Sequence, residues 1–99
     1  MAQNLFLDFK YNVEYTKEFK KDYKKLNKEQ KEILNEVISK LANKEVLEQK
    51  YKDHELKGGL KGIRDCHIEP DLVLIYKKSE EYLILTALRI GSHNSLGID

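Results

Sequence analysis

The residues of this 99-residue chain best suited to moving protons near neutral pH are its three histidines, at positions 54, 67 and 93. An unperturbed imidazole titrates near pH ~6.5, so both of its forms are available to a reaction in the cell. His54 lies in YKDHELKGG, His67 in RDCHIEPD and His93 in LRIGSH, each at an expected turn or strand end. Asp71 follows the Pro70 turn just beyond His67, and Arg89 stands four residues before His93. Cleaving RNA without a metal needs a base for the 2′-hydroxyl proton, an acid for the departing 5′-oxygen and a fixed cation for the charge on phosphorus. Histidine suits both proton roles, and the planar, permanently charged arginine fork suits the third. A carboxylate such as Asp71 can orient an imidazole. Blander readings stand beside these. A loop histidine such as His54 is by default a solvated residue, and Arg89 can serve as a structural ion bridge to Asp65 or Glu69. The histidines lie 13 and 26 residues apart, which matches no compact ligand motif. Converging loops can still bind zinc, so a metal site of His54, His67, His93 and Asp71 stays open as an alternative.

The elements must bring these residues together. Leu5, Leu7, Phe9, Tyr11, Val13 and Tyr15 alternate with mostly polar neighbours and predict a strand with one buried face. Thr16 can cap a helix with Phe19, Tyr23 and Leu26 on its apolar side. Asn27 with Gln30 forms the pattern of a capping box opening a second helix, with Ile33, Leu34, Val37, Ile38 and Leu41 on one stripe and an end near Asn43. So short a break predicts an antiparallel helical hairpin. A polar connection spans 44–61, long enough in a small domain to suggest function. Three strands are expected over 62–68, 72–77 and 82–90, joined by Glu69-Pro70-Asp71 and by Lys78-Ser79-Glu80-Glu81. The wholly apolar run from Leu72 to Tyr76 should be the central strand, buried on both faces. The expected fold class is α+β: an antiparallel sheet, made of the N-terminal strand and a three-stranded meander, packed on a helical hairpin. In a meander the end of the first strand, the start of the second and the end of the third meet at one rim, which is where His67, Asp71, Arg89 and His93 fall.

Composition narrows the class. The length fits one domain over residues 1–99, and 40% hydrophobic with 35% charged residues fits a globular protein with a highly charged surface. No window is apolar for the ~18 to 20 residues a membrane helix needs, and no cationic-then-apolar leader opens the chain. A membrane role is therefore not expected. Cys66 is the only cysteine, so no intrachain disulfide can form, and the expected compartment is the cytoplasm. Net charge is only +1. Between Thr16 and Lys31, however, seven lysines face three acids, a local +4, while 63–99 carries four basic and six acidic residues. A helix presenting Lys17, Lys21 and Lys24 on its outer face is more often plain solvated surface than a binding site. Its lysine density points to a surface for a polyanion.

The stretches YKDHELKGGLKGIRDCHIEPDLVLIY and LRIGSH, placed after the helical hairpin, resemble the YafQ-like branch of the RelE superfamily, the toxins of type II toxin–antitoxin pairs. The opening VEYTKEFKKDYKKL is similar as well, so the likeness covers nearly the whole chain. The resemblance implies a RelE-like fold and an endoribonuclease that enters the ribosome and cleaves mRNA there. It also implies inhibition by a cognate antitoxin protein and no cofactor or metal. It places catalysis on His54, His67, Asp71, Arg89 and His93, with Asp65 in support, and makes contact of Lys17, Lys21 and Lys24 with ribosomal RNA the favoured reading of that helix. His54 or His67 would be the base and His93 the acid. Relatives often carry an aromatic residue after the Pro-Asp pair and a phenylalanine soon after the last histidine. This chain has Leu72 and Leu96-Gly97-Ile98, so codon preference does not follow from the likeness. A gyrase-poisoning toxin of the ParE-like branch is the other alternative, and the clustered histidines argue against it.

Overall fold

The computed structural model describes residues 10–56 and 62–97. The expected strand positions Leu5, Leu7 and Phe9, and Gly58 and Gly59 of the long connection, lie outside the described residues. The elements are β1 (Asn12–Tyr15), α1 (Lys17–Lys24), α2 (Lys28–Ala42), a 3-10 turn (Gln49–Tyr51), β2 (His54–Glu55), β3 (Ile63–Glu69), β4 (Leu72–Ser79), β5 (Ile84–Gly91) and α3 (His93–Leu96).

Local chemistry sets the helix ends. The Thr16 hydroxyl accepts from the Phe19 N–H and starts α1. Asn27 and Gln30 form a reciprocal capping box at the start of α2, each satisfying an orphan donor of the first turn. Phe19 from α1 and Leu34, Val37, Ile38 and Leu41 from α2 pack with Cys66, Ile68, Leu74, Tyr76, Leu85, Ala87 and Ile90 of the sheet. Both helices thus cover one face. Each fully buried aliphatic side chain contributes roughly 1.5–3 kcal/mol, enough in sum to fix the helices on the sheet. Asn35 donates to the Tyr23 hydroxyl at 2.9 Å and ties α2 back to α1.

The sheet order is β1-β5-β4-β3-β2, with β4 central and Leu72 to Tyr76 all buried, as the apolar run predicts. Two expectations are corrected. The sheet is mixed rather than antiparallel, because β1 runs parallel to β5, with Tyr15 opposite Ala87. Alternation reports which face of a strand is buried and says nothing of its direction. Direction follows here from the helix start: the Thr16 N–H donates to the Ala87 carbonyl and the Thr16 hydroxyl to that of Leu88, so α1 begins where β5 nears its end. The long polar connection is also partly regular. It carries the 3-10 turn, anchored by buried Tyr51, and the edge strand β2, paired antiparallel with β3.

Candidate active site

Register places the candidate residues on the sheet face opposite the helices. Directly opposed residues share a face and alternate residues return to it. One cross-strand row therefore reads His54, Asp65, Ile75, Arg89, and the next His67, Val73, Gly91. Irregularities in pairing adjust both ends. One lies between His67 and Glu69, and a second lets β5 pass from Ala87 to Arg89 while β4 advances only from Tyr76 to Ile75, leaving Leu88 as the extra residue.

His93 reaches this face from the first turn of α3. The Ser92 hydroxyl caps that turn by accepting from the Ser95 N–H. Gly91 lets the turn fold back, since a Cβ there would lie 2.8 Å from Ser95 Oγ and 3.3 Å from Leu96 Cδ2. The His67 and His93 rings consequently sit 5.0 Å apart between centroids, tilted by 60°. Asp71 Oδ1 accepts from the His93 backbone N–H at 3.1 Å and faces His93 Nδ1 at 2.8 Å. These bonds hold the Asp71 carboxyl below the usual carboxylate range. An ionised carboxylate only accepts, so Nδ1 carries the proton and Nε2 is the ring nitrogen left for chemistry. Among the described residues the His67 ring makes no hydrogen bond.

His54 sits one row away. Its Nδ1 is 2.6 Å from the Lys52 carbonyl, which again makes Nδ1 the donor and frees Nε2, and it lies 3.1 Å from Asp65 Oδ1. That approach to Asp65 misses the hydrogen-bond direction. Oδ1 is left without a partner among the described residues, although Asp65 is 4% exposed. Burying an unsatisfied carboxylate oxygen costs on the order of 1–3 kcal/mol or more, a penalty typical of functional positions.

Arg89 shares the row of His54, but its guanidinium is turned to an acid that the sequence reading passed over. It donates through Nε and Nη2 to Asp22 at 2.7 and 3.1 Å, and Asp22 also accepts from the Ile90 N–H at 3.1 Å. Burial pushes the Asp22 carboxyl up, and the Arg89 and Ile90 donors outweigh it to leave a net lowering. An ion bridge does form, as the alternative reading of Arg89 allowed, but to Asp22 rather than to Asp65 or Glu69. Glu69 is occupied instead by the Gln30 amide at 2.9 Å. Asp22 was hard to single out among seven lysines; its place on the margin of α1, beside Tyr23, was the available signal. Lys17, Lys21 and Lys24 are exposed on α1. Cys66 is buried, and burial pushes its thiol well up, so it is inert.

The structure thus brings His67, His93 and Asp71 into one cluster, sets His54 with Asp65 on the adjoining row, and holds Arg89 by a carboxylate of α1. Residues 11–97 match the model of the bacterial toxin of type II toxin–antitoxin systems, YafQ. The chain belongs to this family. It is 50% identical over 46 residues to the mRNA interferase toxin YafQ of Escherichia coli K12, a stretch that is 46% of this chain and 48% of that relative. The chain thus spans about half the length of that curated relative. Solved structures extend the likeness. The E. coli DinJ-YafQ toxin–antitoxin complex gives a TM-score of 0.78 at 38% identity, over 88% of this chain and 97% of the other. A metal-bound toxin from Helicobacter pylori gives 0.79 at 40%, over 87% and 98%. The YafQ likeness thus covers the hairpin, the sheet and α3 together.

Proposed function

We propose that the chain is the toxin of a type II toxin–antitoxin pair, a ribosome-dependent endoribonuclease that cleaves mRNA by metal-independent histidine acid–base catalysis. The observation that carries this reading is the 5.0 Å approach of the His67 and His93 rings, with His93 held by Asp71. Two imidazoles at that distance supply the base and the acid of one transesterification. His67 or His54 takes the proton of the 2′-hydroxyl as its oxygen attacks phosphorus. His93, entering doubly protonated with Asp71 holding Nδ1–H, gives its Nε2 proton to the departing 5′-oxygen, and the products are a 2′,3′-cyclic phosphate and a free 5′-hydroxyl. Arg89 keeps three of its five N–H donors after the two held by Asp22, enough to meet a non-bridging phosphate oxygen as negative charge builds. Asp71 orients the His93 ring, and Asp65 supports His54 as a nearby buried carboxylate. The lysines of α1 hold ribosomal RNA phosphates, and a cognate antitoxin covers the site in the resting cell, in the cytoplasm.

The metal-bound H. pylori relative raises a second reading, a cation held by the histidines. The described residues give it less support than the paired rings give the nuclease. Among the described residues no three His, Cys, Asp or Glu side chains converge as ligands. The test is cleavage of mRNA on programmed ribosomes, with and without chelator, followed by mapping of the ends. The expected result is a cut that survives chelation, is lost in His67→Ala and His93→Ala, and leaves both variants folded. Intact mRNA together with blocked DNA supercoiling would overturn this in favour of a gyrase poison.

A further inference from the structure

Beneath His54, on the helix side of the sheet, lies a polar cluster that the proposed chemistry does not use. Asp53 Oδ1 accepts from the Tyr76 hydroxyl at 2.5 Å and from Arg64 Nε at 3.3 Å, and the same Nε–H lies 3.3 Å from the Tyr76 oxygen. Tyr76 is fully buried on the central strand, and Arg64 is opposite it on β3. Burial and the neighbouring Asp53 carboxylate push the Tyr76 phenol well above its ordinary value, so it remains a donor at every physiological pH. A phenol and a guanidinium fixed on two interior strands thus grip one carboxylate just ahead of the edge strand β2.

The grip has a consequence one residue further on. The register sets the His54 ring on the face of Asp65 and Arg89, while Arg64 and Tyr76, one position along their strands, hold the Asp53 carboxylate on the other face. On the other flank of Asp53, Lys52 is held in the left-handed region at φ 50°, and its carbonyl is the acceptor for His54 Nδ1. A two-residue edge strand whose histidine side chain is half exposed has little packing of its own to hold a ring. We infer that Asp53, clamped by Tyr76 and Arg64, is a positioning residue that fixes the backbone of 52–54 and thereby the orientation and tautomer of His54. The cluster joins the packed interior to the candidate-site histidine that lies on the edge strand. It acts through His54 and touches no substrate.

This inference rests on the nuclease reading only for its kinetic consequence, so the experiment has two arms. The first uses the free full-length chain and ring ¹⁵N resonances. Wild-type His54 is expected as the Nδ1–H tautomer, Asp53→Ala and Tyr76→Phe should average the two tautomers, and His93, held by Asp71, should not change. The second measures ribosome-dependent cleavage. Asp53→Ala should lower kcat about tenfold, a usual loss for a side chain that orients a functional group, with KM within about twofold. In a His54→Ala background, Asp53→Ala should change nothing further, because its effect passes through the ring already removed. Tyr76→Phe keeps the ring in its buried site and supplies the answer if Asp53→Ala fails to fold. An unaltered His54 tautomer in these variants overturns the inference, as does an undiminished kinetic loss when His54 is already absent. A wild-type chain that cleaves nothing overturns the nuclease reading instead and leaves the resonance arm to decide this one.

Discussion

Gly91→Ala is the smallest change that should separate the two central histidines. Gly91 lies in the row of Val73 and His67, directly beneath α3. A methyl group there would stand 2.8 Å from Ser95 Oγ, where ordinary contact begins near 3.4 Å, so the turn must retreat by about 0.6 Å. Ser95 cannot yield freely, because its hydroxyl donates to the Ser92 carbonyl at 3.1 Å. Leu96 Cδ2 at 3.3 Å resists the same movement. His93 is the first residue of that turn and moves with it. A misplacement of ~1 Å at a reacting group can cost about 100-fold in rate, so a shift of this size should cost on the order of tenfold. Four exposed or half-exposed residues carry little of the core, and the melting temperature should change by no more than about 2 °C. Single-turnover cleavage on programmed ribosomes measures the first effect, and a thermal melt the second. Adding Ser95→Ala removes the shortest contact and should restore part of the rate, leaving the Leu96 contact to account for the remainder. A Gly91→Ala variant with wild-type cleavage and an unmoved His93 would refute the reasoning.

Other consequences follow from the ion pairs and the lysine face. Asp71 has a lowered folded-state pKa, so its tie to His93 is fully present above the ordinary carboxylate range and is released only as pH falls through the lower folded value. The Asp71 carboxyl ¹³C resonance should therefore titrate below the ordinary carboxylate range, whereas Asp71→Asn should shift the His93 amide at pH 7. Asp22→Ala removes the acceptor for Arg89 and for the Ile90 N–H. With the Arg89 side chain 40% exposed, the loss in urea unfolding should be about 1–2 kcal/mol, discounted for solvent screening. That contribution should be present above the unfolded carboxylate pKa of ~4 and vanish as pH falls through the lower folded value. Reversing charge at Lys17, Lys21 and Lys24 should weaken ribosome binding more than it slows the chemical step. Neutralising them should flatten the salt dependence of binding by about one logarithmic unit of slope per lysine. Unchanged affinity would return this face of α1 to ordinary solvated surface.

The parts of the fold legible in the sequence are those decided by near neighbours. Thr16, Asn27 and Gln30 cap helices through bonds spanning three residues, so their types and spacing suffice. The apolar run of β4 likewise declares a strand with both faces covered. What escaped is decided across the chain. The direction of β1 is set by a bond from Thr16 to Leu88, 72 residues away. The strand β2 is only His54 and Glu55, polar and exposed, and exists because β3 offers an edge with which to pair. No periodicity can announce a strand of two residues.

The site shows the same division. That His67, Asp71 and His93 meet follows from meander topology, because a hairpin turn and a strand end at the same rim cannot avoid each other. The aim of Arg89 does not follow, because the extra residue Leu88 turns the strand just before it and the acceptor comes from α1. The two sequence-level readings of Arg89, a structural bridge and a phosphate clamp, nevertheless need not compete. Asp22 occupies one edge of the guanidinium, Nε and Nη2, and a bidentate bond to one edge of a planar fork fixes the direction of the remaining donors. A flexible arginine would have to order its side chain as the phosphate arrives. One already clasped by a carboxylate meets the phosphate oxygens from a set angle. If the proposed function holds, the ion pair with α1 is what readies the cation for the reaction, and the helix that carries the lysine face also fixes the arginine at the proposed site.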